Sequence, residues 1–232
     1  LFCDPKAKFN AVDKDHDKSH LDKQLTTFCI SALECLGAKA RYSFNFLNKY
    51  KNEEYLNKWL DSLNWKNPWN SGNKVMFIAI CLIYNYEKFQ DKKSYETINL
   101  WFKWMDKRQD SLTGFWGESK KYNYFDGMGG FYHQFVIYNY LKKNVNYKKQ
   151  IIDQTLFIQQ YDGGFNPELG GGSCDDLDAV DILAHLYHKT NHRRDDIKKK
   201  LAKTLKLIIN NQNSDYGYCW SKRNLFDINN IF

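Results

Sequence analysis

Leu156-Phe157-Ile158-Gln159-Gln160-Tyr161-Asp162-Gly163-Gly164-Phe165 is the stretch on which the fold reading turns. Apolar residues at helical spacing run up to glutamine, a polar turn follows, and Gly-Gly ahead of an aromatic supplies the stop that a helix end requires. The same grammar occurs twice more. Upstream, an amphipathic helix pattern reaches Gln109 and is followed by Gly114-Phe115-Trp116-Gly117; downstream, another reaches Gln212 and is followed by Gly217-Tyr218-Cys219-Trp220. Aligned on Gln109, Gln160 and Gln212, the turns lie 51 and 52 residues apart. A near-constant period of this size marks stacked supersecondary units, none of which buries its apolar face alone.

Between the turns, two kinds of helix alternate. Segments near 22–36, 74–88, 129–142 and 176–189 are apolar or aromatic on most sides and read as inner helices. Segments near 44–63, 94–108, 146–160 and 195–212 carry Lys, Asn and Asp on one broad face and read as outer helices. Four inner-outer pairs account for almost the whole chain of 232 residues, so the expected fold is all-α in a single domain spanning 1–232. With 17% aromatic residues and only 3 Pro, the chain has mass for a real core and too few breakers for a linker-rich array.

Composition also narrows the function classes. The longest apolar run, 75–84, is about half of the roughly 20 residues that a bilayer crossing requires, so no membrane span is expected. A formal charge of +7 comes from scattered Lys and Arg; the dense runs, Arg193-Arg194 and Lys198-Lys199-Lys200, flank Asp195-Asp196, a solvated helix face rather than a nucleic-acid footprint. Six cysteines form no C-x-x-C pair, and Cys29 and Cys81 sit in apolar helical patterns as small hydrophobes, which favours a reducing, cytoplasmic compartment.

Helix pairs joined by Gln, then Gly, then Trp or Phe resemble the repeats of the terpenoid cyclase and protein prenyltransferase superfamily of α/α toroids, over roughly residues 55 to 220. The resemblance implies a ring of inner and outer helices around a central cavity. It also implies that Gln109, Trp116, Gln160, Phe165, Gln212 and Trp220 are structural, tying each outer helix end to the next inner helix. A complete toroid has more pairs, so the expectation is an incomplete ring, a fragment whose next inner helix is cut short after Trp220, leaving an apolar seam.

Chemistry concentrates in Gly170-Gly171-Gly172-Ser173-Cys174-Asp175-Asp176-Leu177-Asp178-Ala179-Val180-Asp181. Glycines let the backbone approach a ligand closely, and four carboxylates follow within seven residues. Ser173 fits a cap, and Asp175 and Asp176 fit the first turn of a helix, where the dipole favours negative charge. Asp178, Asp181, His185 and His188 then share one sector of an otherwise apolar helix. If that sector faces a cavity, one buried carboxyl has a raised pKa and serves as a general acid. The structural alternative is an i, i+4 pair of Asp181 with His185 on the surface.

Other inner-helix starts carry similar features: Asp126, Tyr132 and His133 with Tyr122 and Tyr124, Trp69 ahead of the second, and Asp13, His16, Asp17 and His20 ahead of the first. In a toroid these converge on one mouth. Asp175, Asp176, Asp178 and His133 are then the candidate catalytic groups, with Trp69, Asp126, Tyr132, Cys174, Asp181 and His185 as substrate-binding groups. Aromatic walls stabilise carbocations or stack on sugars.

Class II terpene cyclases protonate with Asp-x-Asp-Asp, whereas this chain has Asp175-Asp176-Leu177-Asp178. Prenyltransferases order their zinc ligands Asp, Cys, His, whereas Cys174 here precedes Asp176. No cofactor is required by the sequence; zinc on Cys174, Asp176 and His133 is the one metal site considered. The leading expectation is an enzyme acting on an isoprenoid-like substrate. The alternatives are an α/α-barrel carbohydrate-active enzyme acting on an oligosaccharide and a non-catalytic toroid that binds a protein partner.

Overall fold

The computed structural model describes residues 18–117 and 124–221, and all regular structure in them is helical apart from one isolated bridge between Gln212 and Tyr218. The helices are α1 (Lys18–Cys35), a 3-10 helix (Asn45–Lys51), α2 (Glu53–Ser62), α3 (Pro68–Phe89), α4 (Lys92–Arg108), α5 (Tyr124–Tyr140), α6 (Lys148–Ile158), α7 (Ser173–Lys189) and α8 (Arg194–Asn210). The all-α expectation holds. The chain divides into two compact units, one of residues 1–64 with 70–108, the other of 65–69 with 109–232.

In the first unit, the outer segment expected over 44–63 is broken. Asn52 adopts an extended conformation and its side chain accepts a hydrogen bond from the Tyr55 amide, so a 3-10 helix stops and α2 starts there. α4 packs against both pieces, with the Trp104 indole and the Arg108 guanidinium donating to Asp61. The run 75–84 is mostly buried, including Val75, Phe77, Cys81, Leu82 and Tyr84, as its pattern predicts. Tyr84 accepts from the Ala40 amide and Asn85 pairs with both backbone groups of Phe44.

In the second unit, α7 packs on α5, α6 and α8. Its core is aromatic: Trp116 stacks on Phe131 at 5.3 Å, and Phe131 on Phe135 at 5.2 Å.

The first two turns share a side-chain tie, in a register that differs from the one read above. The amide of Gln109 donates to Gly114 O and Asn146 O, and its oxygen accepts from the Asn146 amide. The matching residue in the second turn is Gln159, not Gln160: its amide donates to Gly163 O, Lys200 O and the Thr204 hydroxyl. In the third turn Gln212 reaches Tyr216 O. The tie therefore runs from the end of α4 to the residues just ahead of α6, and from the end of α6 to α8, and not to the helix that follows each turn. Residues Gly114, Gly163 and Tyr216 correspond, all with positive φ. So do the aromatics Trp116, Phe165 and Tyr218, which displaces Trp220 from the pattern. Trp116 and Phe165 are fully buried, whereas Tyr218 and Trp220 are exposed, as are Leu177, Ile208 and Ile209. Leu177, Ile208, Tyr218 and Trp220 line an apolar groove of about 290 Å³.

Gln159→Ala is expected to lower unfolding free energy by about 1–3 kcal/mol in urea titrations, because buried acceptors on α8 lose their donor. Gln160→Ala and Gln212→Ala are expected to stay within about 0.5 kcal/mol. The reverse ranking of Gln159 and Gln160 would restore the register read from sequence.

Candidate functional site

The loop entering α7 is fixed by two aspartates. Asp162 accepts from the Gly164 amide at 3.0 Å and the Gly170 amide at 2.7 Å, folding the segment back on itself. Asp176 accepts from the Phe165 amide at 2.8 Å through one oxygen and from the Gly172 amide at 3.1 Å through the other. A side chain on Gly171 would meet Asp176 Oδ2 at 2.7 Å, so glycine is needed for the backbone to come that close. Asp176 is thus a staple between the Gly-Phe turn and the helix start. Burial raises its pKa and the two amides oppose the rise. We assign it to architecture instead of the acid role expected from sequence.

One position earlier, Asp175 is also buried and accepts from the Asn166 side-chain amide at 2.5 Å. Sequence reading missed Asn166, whose only signal is its place directly after the Gly-Phe pair. Cys174 is exposed as a residue, and partial desolvation of its thiol, with the charges of Asp178 and Asp175 adding to it, raises its pKa.

Asp178 is different. It is 5% exposed, and no donor among the described residues reaches its carboxyl. Burial first, then the negative charges of Asp175 and Asp181, push its pKa from the ordinary 3.8 to about 8. Asp178 is therefore a neutral acid at pH 7.

Across from α7, Tyr132 on α5 hydrogen-bonds Asp181, and burial with the nearby Asp181 and Asp178 raises its pKa. Asp181 also meets His185 Nδ1 at 3.0 Å, the i, i+4 pair named above as the structural alternative, and that imidazole is exposed. The polar stripe thus runs from buried Asp178 through part-buried Asp181 to exposed His185 and His188.

His133 follows Tyr132 by one residue, roughly 100° around the helix, and meets other partners. It is 8% exposed and stands edge-on to Trp69 at 5.4 Å, while Trp69 stacks on Phe125 at 5.5 Å. Trp69 lies against Gly129, where a Cβ would come within 2.0 Å of the ring. Asp126, two turns before His133, is half-buried with a pKa raised by desolvation. Two groups result: Asp175, Asp178, Asp181 and Tyr132 in one, Trp69, Phe125 and His133 in the other.

The zinc set of Cys174, Asp176 and His133 is not assembled: among the described residues no three side chains of ligand type converge on a metal position. Asp176 is held by amides and His133 by Trp69. Tyr122, Asp13, His16 and Asp17 lie outside the described residues, and His20 is buried in the first unit. No helix among the described residues is long and apolar enough to cross a membrane. Compared with protein families, curated proteins and solved structures, the chain matches none.

Two stability effects of opposite sign are expected. Asp176→Asn replaces an accepting oxygen with an NH₂ group that opposes an amide, and should cost about 1–3 kcal/mol in chemical denaturation. Asp178 binds its proton more tightly folded than unfolded. Its stabilisation is present below about pH 4 and is lost as pH rises through about 8. Melting temperatures of Asp178→Asn should consequently fall less between pH 4 and pH 8 than those of the wild type; parallel curves would mean that Asp178 is solvated.

Proposed function

We propose that the chain is an acid-catalysed enzyme built on an α/α toroid, in which Asp178 protonates a leaving oxygen of a small-molecule substrate. The observation that carries this reading is a buried carboxyl that no donor among the described residues reaches, set near the charges of Asp175 and Asp181. A carboxyl pushed up to about 8 by burial and two like charges keeps its proton at neutral pH, and a general acid works best when its pKa lies near the operating pH. Asp175 and Asp181 stay within electrostatic reach, so loss of the Asp178 proton raises the local negative charge and favours a substrate that develops positive charge.

Between the substrate classes, this acidity supports cleavage at an oxygen, as in an oligosaccharide, over protonation of an alkene. An acid of pKa about 8 is a weak donor to carbon but matches the raised-pKa acid of glycoside cleavage. Tyr132 on α5 and exposed His185 on α7, both beside Asp181, offer hydrogen bonds to hydroxyl groups. A second reading, an isoprenoid-like substrate as the repeat resemblance implies, is favoured by the Trp69 and Phe125 stack, whose faces stabilise a carbocation.

The test is a turnover screen of aryl glycosides, oligosaccharides and prenyl diphosphates with the wild type and Asp178→Asn. Expected is a loss of about 10²-fold or more in kcat for the variant, and a wild-type rate that declines above about pH 8 as the acid ionises. An Asp178→Asn protein with undiminished turnover would remove the proposal.

A further inference from the structure

In the second unit, α8 leaves two neighbouring stripes uncovered. Ile197 and Thr204 are its buried residues. At about 100° per residue, the adjoining sector carries Leu205, Ile208 and Ile209, all exposed, Leu205 at 57% and Ile209 at 55%. Ile208 also lines the groove of about 290 Å³ that it shares with Leu177, Tyr218 and Trp220, so the apolar strip continues from α8 onto α7 and the third turn. On the far side of the strip Lys199, Lys203 and Lys206, at i, i+4 and i+7, form a straight exposed row. None of the three makes an ion pair among the described residues. Half-buried Lys200 has its pKa lowered, by burial first and then by the charges of Lys203 and Arg193, so the positive field along this edge is not cancelled. The acids of the helix, Asp195 and Asp196, sit in its first turn, and Asp196 pairs with Arg193.

An apolar strip alone does not name what covers it, but the charge beside it does. Lysines without counter-charges along one edge select a negative partner that is apolar next to its charge. A second copy of this chain, with a formal charge of +7, would set two such lysine rows about one two-fold axis. An anionic lipid surface meets both demands: its acyl boundary takes up the apolar strip, while the lysine stems lie along it and carry their ammonium groups to the headgroups. Tyr218 and Trp220, exposed at the end of the strip, are of the residue types that settle where hydrocarbon meets water. We propose that this face docks the protein onto an anionic membrane surface, with α8 lying in the plane of the interface and not crossing it. Nothing in this surface depends on the acid chemistry proposed for Asp178, and the two stand or fall separately.

Co-sedimentation of the whole chain with vesicles of equal parts phosphatidylcholine and phosphatidylserine, beside vesicles of phosphatidylcholine alone, tests the proposal. The wild type should bind the mixed vesicles at least tenfold more tightly than the neutral ones and be released by high salt. The double variant Lys203→Gln, Lys206→Gln should bind the mixed vesicles about tenfold more weakly or worse, at roughly fivefold per lysine. Leu205→Ser with Ile209→Ser should weaken binding by about tenfold as well, with an unchanged circular dichroism spectrum, since both side chains are exposed. Lys103→Gln, which removes an exposed charge of the first unit, should leave the affinity as it was. Four results would each overturn the proposal: no sedimentation of the wild type, as follows if a further stretch of chain covers the face; equal binding to neutral vesicles; equal weakening by Lys103→Gln; or a wild-type dimer without vesicles that Leu205→Ser with Ile209→Ser dissociates, which would give the face to a second copy.

Discussion

The side-chain amide of Gln159 spans a gap that backbone hydrogen bonding cannot cross. It donates to a carbonyl of its own turn and to Lys200 O and the Thr204 hydroxyl of α8, so the end of α6 and the body of α8 are held at one distance. The turn can come this close only because Gly163 has no side chain; a Cβ there would meet Lys203 O at 2.8 Å. With those helices fixed, the chain between them must fold back over a short path, and Asp162 and Asp176 take up its amides. The start of α7, and with it the direction of every acid that follows, rests on that tie.

The four acids then diverge although they span seven residues, because successive positions on a helix turn by about 100°. Asp176 meets two amides, Asp175 the Asn166 side chain, and Asp181 a tyrosine and a histidine. Asp178 meets desolvation and two like charges, with no donor among the described residues to offset them. Hydrogen bonds to a carboxylate and burial act in opposite directions on its pKa, and among these four residues only Asp178 has the second without the first. Chemistry follows from that imbalance rather than from the density of acids in the sequence.

Helix existence was legible because it rests on periodicity, which survives any tertiary arrangement: 75–84 is mostly buried as its pattern requires, and the eight α-helices among the described residues fall in or close to the segments that apolar spacing marks. The inner character read for 22–36 does not hold, since Phe28 is 63% and Leu36 80% exposed. The break at Asn52 was not legible, since an Asn between two helix-compatible stretches signals a cap only once Tyr55 points its amide back. Nor was the choice of Gln159 over Gln160. Adjacent glutamines have the same chemistry, and only the turn's length, one residue shorter than that after Gln109, sets which of them looks inward. The role of Asp176 was hidden for the same reason: a carboxylate in a first helical turn fits a cap or an acid until its acceptors are known.

The third turn separates two demands that glycine usually meets together. Gly114, Gly163 and Tyr216 all adopt positive φ, at 75°, 104° and 67°. At the first two a Cβ would collide with a neighbouring helix, at 2.4 Å from Ile151 and 2.8 Å from Lys203 O. Tyr216 instead is 83% exposed. Left-handed backbone alone costs a non-glycine residue roughly 1–2 kcal/mol, which a turn can carry, whereas a Cβ inside a neighbouring backbone cannot be accommodated without moving the helix. Glycine in these turns therefore reports close approach of the next helix more than it reports the turn itself, and a tyrosine in the same place reports open space. The same difference explains why Gln212, with its repeat chemistry intact, makes one of the bonds that Gln159 makes and none to a following helix among the described residues.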